Sequence, residues 1–322
     1  MKTFKSILTS SSLKLPYGAN KIIFLAGAGL CLFPIITAPV ALVMGIFYAQ
    51  ILKHPFPIYN HKATNFLLKI SVVGLGFGMN ITTALHAGRS GFLLTVCSIL
   101  LVLSAGYLLG KLMKNDQKTS FLISAGTAIC GGSAIAAISP AINAEEKQIS
   151  VALGIVFVLN AVALFVFPVI GHAFNLTQTQ FGMWCAIAIH DTSSVVGAAN
   201  RYGAQALEIA TTVKLARALW IVPLTFLAIL LFKGNRSKVQ VPYFIGLFIL
   251  ALLANTYFSS IHLLAPYVVY LSKIGLTLTL FLIGSGLSFT ILKSVGLKPL
   301  LQGLILWIII SITALMAILW LF

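Results

Sequence analysis

Asp191 is an acidic residue in the middle of a long apolar run, residues 181–200. A charged side chain at such a position costs at least ~2.5–3.5 kcal/mol on insertion scales, so it is rarely kept without a partner or a task. The residues that border it also carry polar side chains: His190, Thr192, Ser193 and Ser194. We predict that Asp191, together with His190, carries the proton that couples a transport cycle. Two structural interpretations stay open, namely an ion pair of Asp191 with a cation of the next run and a hydrogen-bonded core position for His190.

Lys214 and Arg217 are three residues apart in the apolar run 206–232, so both side chains lie on one face of a helix. Apart from Glu208, which lies at the start of the run 206–232, four cations and one acid lie inside apolar runs, which leaves an excess of three positive charges (four minus one). We predict that an anion balances this excess and is bound by Lys214 and Arg217, the latter through a forked pair of hydrogen bonds. The other two cations, Lys69 and Lys273, lie six or seven residues inside their runs, from where an ammonium can extend to the membrane interface.

A second polar interruption lies in the middle of the apolar run 119–141. Its segment Ala128–Ile135 and the segment Ala188–Val195 share the pattern A-I-x-x-x-S-[AS]-[IV]. A helix that breaks inside a membrane leaves backbone N–H groups that need a cavity, water or ligand, and these groups attract an anion. Close helix packing on small residues is the alternative explanation of the pattern. The residues that we predict to bind an anion at the two breaks are Gly131, Gly132, Ser133, Thr192, Ser193 and Ser194.

The composition excludes a soluble protein. Of 322 residues, 59% are hydrophobic and 8% are charged, whereas soluble domains carry about a quarter charged residues. The 21 Lys and Arg against 5 Asp and Glu lie mainly in short breaks between apolar runs, which is typical of topology signals and not of a nucleic-acid surface. We therefore expect the lipid bilayer and a small anion as partners, and no nucleic acid. A homo-oligomer is compatible with the sequence. The cysteines stand singly, with no Cys-x-x-Cys spacing, so no metal site or other cofactor is predicted.

The apolar runs predict an all-α polytopic membrane protein with about eleven transmembrane helices, some of them discontinuous. Residues 1–20 are predicted to be a cytoplasmic lead-in, and residues 21–322 a single transmembrane transporter domain. The first two runs are short and could also form one long span plus an interfacial piece. The predicted spans are 22–36, 39–52, 64–82, 91–110, 119–141, 149–171, 181–200, 206–232, 242–258, 266–290 and 299–322.

The distribution of cations predicts the orientation. With eleven spans and a cytoplasmic N-terminus, fourteen Lys and Arg lie on the cytoplasmic side and three, Arg89, Lys147 and Arg201, on the other. The segments Gly76–Thr82 and Gly284–Thr290 share G-x-G-[ML]-[NS]-[IF]-T and run in opposite directions, as an inverted repeat requires. The two segments with the A-I pattern run in the same direction by this count. They fit an inverted repeat only if one of them is a re-entrant hairpin.

The ordered set of motifs resembles the YeiH-type sulfate exporter family of bacterial inner-membrane proteins. The resemblance covers nearly the whole chain and rests on Gly126–Ala137, Ala188–Val196, Val213–Arg217, Gly78–Thr82 and Gly284–Thr290. It implies localisation in the bacterial inner membrane and export of sulfate. That family is similar to the bile-acid-transporter-like group of inverted-repeat carriers, which implies a core bundle and a panel that move against each other.

Together, these features predict a secondary active transporter of a small inorganic or sulfonated anion, such as sulfate or sulfite, that is coupled to protons. No G-x-x-x-x-G-K-[ST] motif for ATP binding occurs in the chain. A passive anion channel is one alternative. The other is an intramembrane hydrolase that uses His190, Asp191 and Ser193 or Ser194, but neighbouring positions on one segment rarely give the geometry of a catalytic triad. We therefore predict that the protein is not an enzyme.

Overall fold

The computed structural model describes residues 17–33, 35–52, 54–79, 81–232, 243–286 and 296–321, and all regular structure in these ranges is helical. Five segments are long and apolar enough to cross a membrane, and shorter apolar helices accompany them. The prediction of an α-helical multi-pass membrane protein is therefore confirmed. The helices are α1 Tyr17–Leu30, α2 Ala38–Ile51, α3 Pro57–Leu75, α4 Ile81–Leu112, α5 Gln117–Ala128, α6 Gly132–Ile138, α7 Glu146–Ala173, α8 Gln178–Ala188, α9 Thr192–Tyr202, α10 Ala204–Ala218, α11 Ile221–Phe232, α12 Tyr243–Tyr257, α13 Ala265–Gly286 and α14 Leu297–Leu321.

The helices pack into two groups. Helices α1, α2, α3, α12 and α13 form the panel bundle, in which α13 packs along both α2 and α3. Helices α4 to α11 and α14 form the core bundle around one large apolar cluster. The first two apolar runs are two separate helices, α1 and α2, with a turn between them. Within the panel, Gly45 of α2 meets Gly284 of α13 so closely that a Cβ on Gly284 would lie 2.9 Å from the backbone nitrogen of Ile46.

Helices α5 and α6 form a re-entrant hairpin, which we call hairpin 1 (residues 117–138). Helix α5 begins at Asp116, whose carboxylate accepts a hydrogen bond from the backbone N–H of Thr119. The same carboxylate accepts a hydrogen bond of 2.8 Å from the side chain of Gln148, which lies beyond the end of α6. Nearby, the ammonium of Lys118 donates to the carbonyl of Asn143 at 2.8 Å. The chain therefore leaves hairpin 1 at the end where it entered.

Helices α8 and α9 form a second such unit, hairpin 2 (residues 178–202). The Tyr202 hydroxyl, at the end of α9, donates a hydrogen bond of 2.6 Å to the carbonyl of Leu176, just before α8. The side-chain oxygen of Gln178, at the start of α8, accepts a hydrogen bond of 3.0 Å from the backbone N–H of Gln205. Since hydrogen bonds join the two ends of the hairpin to each other, the chain also enters and leaves hairpin 2 at one end.

The predicted spans 119–141 and 181–200 are therefore wrong as single crossings. Helix α7 connects the two hairpins and has 28 residues, about 42 Å, which exceeds the apolar thickness of about 30 Å of a bilayer. Hairpin 1 opens at the first end of α7 and hairpin 2 at the last end. Two of the about eleven predicted spans, 119–141 and 181–200, are thus hairpins and not crossings. Hydropathy could not detect this, because it measures the length of an apolar run and not the direction in which the chain returns.

The hairpin assignment predicts which of the segments that flank the hairpins face the same side of the membrane. Cysteines placed at the exposed positions Lys114 and Lys147 should react with a membrane-impermeant maleimide from one side, and a cysteine at exposed Asn175 from the other. The background variant should lack Cys97, the exposed native cysteine. The eleven-span count places residues 114 and 175 together and residue 147 opposite. That labelling pattern would contradict the hairpin assignment.

Candidate functional site

The tips of the two hairpins meet beside the midpoint of helix α7. Gly131, in the tip of hairpin 1, adopts φ 59° and ψ −121°, a backbone conformation that residues other than glycine rarely adopt. A Cβ on Gly131 would lie 3.3 Å from the backbone carbon of His190 and 3.4 Å from the nitrogen of Asp191, in the tip of hairpin 2. The side-chain oxygen of Asn160 accepts hydrogen bonds of 3.1 and 3.2 Å from the same two residues' N–H groups. Asn160 lies halfway along α7, which sets the depth of the contact.

We expect Gly131→Ala to disrupt this contact. The left-handed backbone alone costs about 1–3 kcal/mol for a residue other than glycine, and the added methyl group would lie 2.9 Å from a Val156 methyl carbon. The matched control is Gly132→Ala, because a Cβ there meets its neighbours at 3.4 Å or more, an ordinary contact. Thermal unfolding of both purified variants measures the difference. Equal stability of the two variants would contradict the tight tip contact.

Lys214 and Arg217 lie behind the tips, where the first helix of each hairpin ends. Both side chains are fully buried. The Lys214 ammonium donates to the carbonyls of Ile129 at 2.9 Å and Ile189 at 2.7 Å, one from each hairpin. Arg217 donates from Nε to the carbonyl of Ala128 at 2.7 Å and from a terminal nitrogen to the carbonyl of Ile187. One lysine and one arginine therefore bind the C-terminal ends of both α5 and α8.

In this geometry Lys214 and Arg217 bind the ends of two helices, and their assignment as anion ligands stays a prediction. The last carbonyls of a helix have no partners within the helix and carry the negative end of its dipole. Two such ends meet here inside the protein, and the two cations balance them. Backbone carbonyls, which a count of charged side chains omits, thus offset part of the positive charge of these two residues. Within the described residues the side-chain hydrogen bonds of Lys214 and Arg217 go to backbone carbonyls and not to Asp191, and the second terminal nitrogen of Arg217 has no partner.

Asp191 lies on the opposite side of the tips, at the start of α9. Its carboxylate accepts a hydrogen bond of 3.0 Å from the backbone N–H of Ser193 and another from the hydroxyl of Ser193. It therefore caps α9 and places a carboxylate beside the positive end of that helix. Asp191 and Ser194 are buried, and Ser193 is fully enclosed.

A small cavity separates the hairpin tips from the panel bundle. Ser133 and Thr192, the second residue of α6 and the first of α9, line its core side. Its volume is about 20 Å³, which is the space of roughly one water molecule. The panel side consists of residues on α3 and α12: Asn65, Leu68, Lys69, Val72 and Phe244. The cavity brings together polar groups from both bundles at the depth of the tips.

Sequence reasoning missed Asn65 and Lys69. Lys69 is one of the residues that line the cavity, while its ammonium lies over the ring of Tyr243, so extension of this side chain to the membrane interface stays open. The available signal was their spacing, since residues four apart share one face of a helix. Of the predicted anion-binding residues, Ser133 and Thr192 line the cavity, Gly131 and Gly132 form the tip of hairpin 1, and Ser193 and Ser194 lie behind Thr192.

His190 does not join a catalytic triad. Its side chain is buried, and within the described residues neither ring nitrogen has a hydrogen-bond partner. The Ser193 hydroxyl donates directly to Asp191. A Ser–His–Asp mechanism needs the imidazole between the other two groups, so this arrangement gives the hydrolase alternative no support. In the described part of the chain no three His, Cys, Asp or Glu side chains form a group that could hold a metal ion.

Comparison with known sequences assigns the chain to a family. Residues 22–303 match the family described as conserved hypothetical protein 698. A UPF0324 membrane protein of Bacteroides thetaiotaomicron is 51% identical over 282 residues, which cover 87% of this chain and 86% of the relative. The chain belongs to the UPF0324 family of membrane proteins. UPF0324 relatives from Photobacterium profundum and Shewanella oneidensis are 50% and 46% identical and cover 94% and 98% of this chain, and 92% and 99% of their own lengths.

The names of these UPF0324 relatives describe membrane proteins and name no substrate. No solved structure matches the chain.

Proposed function

We propose that this UPF0324 protein is a secondary active transporter of a small oxyanion of the sulfate or sulfite type, driven by protons through Asp191. The observation that carries the proposal is the cavity at the hairpin tips. Its lining joins Ser133 and Thr192 of the hairpin tips with Asn65 and Lys69 of α3. Among these lining residues none is acidic, so the cavity has a positive character that suits an anion.

The size of the cavity supports a carrier. A space for about one water molecule is too small for a sulfate ion, so the anion fits there only when the core and panel bundles move apart. A passive channel needs no such separation. The proposed movement agrees with the inverted-repeat carriers that the sequence resembles, because in both cases two bundles move around a midmembrane site.

The contacts of hairpin 2 support movement of whole bundles and not the opening of a hairpin. The ring of Tyr202 stacks on Phe181 at 3.7 Å between centroids, and Trp184 stacks on Phe167 of α7 at 4.2 Å. The Trp184 indole N–H also donates to the carbonyl of Ser311 in α14 at 2.9 Å. The stack of Tyr202 on Phe181 holds the two helices of hairpin 2 together, and Trp184 attaches the hairpin to α7 and α14 of the core bundle, so we infer that it moves with that bundle.

Asp191 supplies a route for coupling to protons. As a carboxylate it neutralises the N-terminal end of α9, beside which Thr192 lines the cavity. An anion in the cavity would lie close to this negative charge, and like charges repel. Protonation of Asp191 removes the repulsion, so proton and anion bind together. Coupling of this kind moves both in the same direction.

The proposed orientation has the N-terminus in the cytoplasm of a bacterial inner membrane. Hairpin 1 places Lys147 on the same side as the fourteen cations assigned to the cytoplasm, so the distribution becomes fifteen against two, Arg89 and Arg201. This agrees better with the positive-inside rule than fourteen against three. The internal A-I segments also become antiparallel, because hairpins 1 and 2 open at opposite ends of α7.

An uptake screen in proteoliposomes tests the proposed function. Purified protein is reconstituted, and uptake of sulfate, sulfite, taurine, citrate and chloride is measured with and without a pH gradient. We expect accumulation of a sulfate-like anion above its external concentration when a pH gradient is imposed. Equilibration without accumulation would identify a channel instead, and no uptake of any of these anions would refute the proposal.

A further inference from the structure

The positively charged side chain of Lys69 lies at the boundary between the two bundles. It belongs to α3 of the panel bundle, yet its side chain lines the cavity with Ser133 and Thr192 of the core bundle. Its ammonium lies over the ring of Tyr243, 5.1 Å from the ring centroid, which is within the range of a cation–π contact. Tyr243 is the first residue of α12 and is itself largely exposed. The ammonium therefore has a weak partner on the panel side and polar groups on the core side.

This arrangement gives the ammonium two alternative partners. A cation–π contact at an exposed ring is weak, whereas a charge-assisted hydrogen bond to an oxyanion is considerably stronger. An anion in the cavity would draw the ammonium away from Tyr243 and toward Ser133 and Thr192. Because Lys69 belongs to the panel and the two hydroxyls to the core, an anion bound by all three would hold the bundles together.

We propose that Lys69 is the panel's ligand for the transported anion and exchanges the Tyr243 ring for it, so that closure of the cavity depends on the substrate's negative charge. This inference rests on the proposed function. To that function it adds Lys69 as a residue that binds the anion and the Tyr243 ring as a competing partner of the ammonium. The substrate class that it requires is a small anion with several oxygen acceptors, because Lys69, Ser133 and Thr192 all approach it as donors.

The test measures sulfate affinity in four variants, by isothermal calorimetry on purified protein and by the KM of sulfate uptake. Lys69→Met removes the charge and keeps a long side chain, and we expect affinity to fall about tenfold to a hundredfold. Lys69→Arg retains a cation and should stay within a few-fold of the native affinity. Tyr243→Leu removes the competing ring, so affinity should rise about two- to fivefold. Tyr243→Phe keeps the ring and should have little effect.

The control is Lys273→Met, which removes a cation from α13 of the panel bundle that is absent from the cavity lining. It should leave sulfate affinity unchanged. If native protein binds sulfate and Lys69→Met binds it equally well, the inference fails while the proposed function stands. If the native protein binds none of the screened anions, both fail. A merely structural role for Lys69 would not produce opposite effects of Lys69→Met and Tyr243→Leu, so a fall in affinity in both variants also contradicts the inference.

Discussion

Asp191→Asn should abolish proton-driven accumulation of sulfate, to the level of liposomes without protein, while exchange of internal for external sulfate continues. The asparagine oxygen can still accept the backbone N–H of Ser193, so hairpin 2 keeps its cap. What it loses is the group that binds and releases a proton. Accumulation and exchange are measured on the same proteoliposomes, with and without a pH gradient.

Asp116→Asn is the matched control for this prediction. Asp116 also caps a hairpin helix, accepting the N–H of Thr119 at 2.9 Å, but it lies at the base of hairpin 1 and is exposed. Its replacement should leave accumulation intact. If Asp191→Asn accumulates sulfate at the native rate and with the native dependence on pH, Asp191 has only its capping role and the proton has another carrier.

Removal of either buried cation should cause the largest loss of stability in the molecule. Arg217→Met leaves the carbonyls of Ala128 and Ile187 without their charged donor, and Lys214→Met does the same to Ile129 and Ile189. A buried carbonyl left without a donor costs about 1–3 kcal/mol, and each variant leaves two of them, so both variants should unfold at much lower temperature or fail to fold. Arg201→Met, at an exposed position, should change the free energy of unfolding by less than about 0.5 kcal/mol.

Arg217→Lys separates the capping role from direct contact with the anion. A lysine keeps the charge behind the tips but loses the fork, so it should lower the melting temperature and leave the sulfate affinity of the folded protein unchanged. Direct contact predicts a different result, a tenfold to hundredfold loss of affinity, which is the effect of losing a charge-assisted hydrogen bond. Calorimetric titration of the folded variant distinguishes the two roles.

Much of the site was predictable because polar residues inside apolar runs are costly. Asp191 and the glycine pair at 131 and 132 stand out in the sequence for that reason, and the structure places both at the hairpin tips. The direction of the chain after each tip was not predictable from hydropathy. A run of two short helices that return to one side has the same length and composition as a crossing helix with a break.

The roles of the cations were less predictable. Lys214 and Arg217 contact backbone carbonyls, which every residue possesses and no composition reveals. Lys69 is distant in sequence from Ser133 and Thr192, and only the packing of the panel against the core brings them to one cavity. The pattern of Lys and Arg outside the apolar runs did contain a signal for hairpin 1. The eleven-span prediction leaves Lys147 among three cations opposite the majority, and a re-entrant hairpin 1 would put it with the majority.

The central claim is that the cavity at the hairpin tips is an anion site reached from each side of the membrane in turn. Labelling of Ser133→Cys with a membrane-impermeant maleimide, in a background without the four native cysteines, tests it most directly. The account predicts that the thiol reacts from both sides of the membrane and that sulfate slows both reactions. Reaction from one side only, at a rate that sulfate does not change, would contradict it.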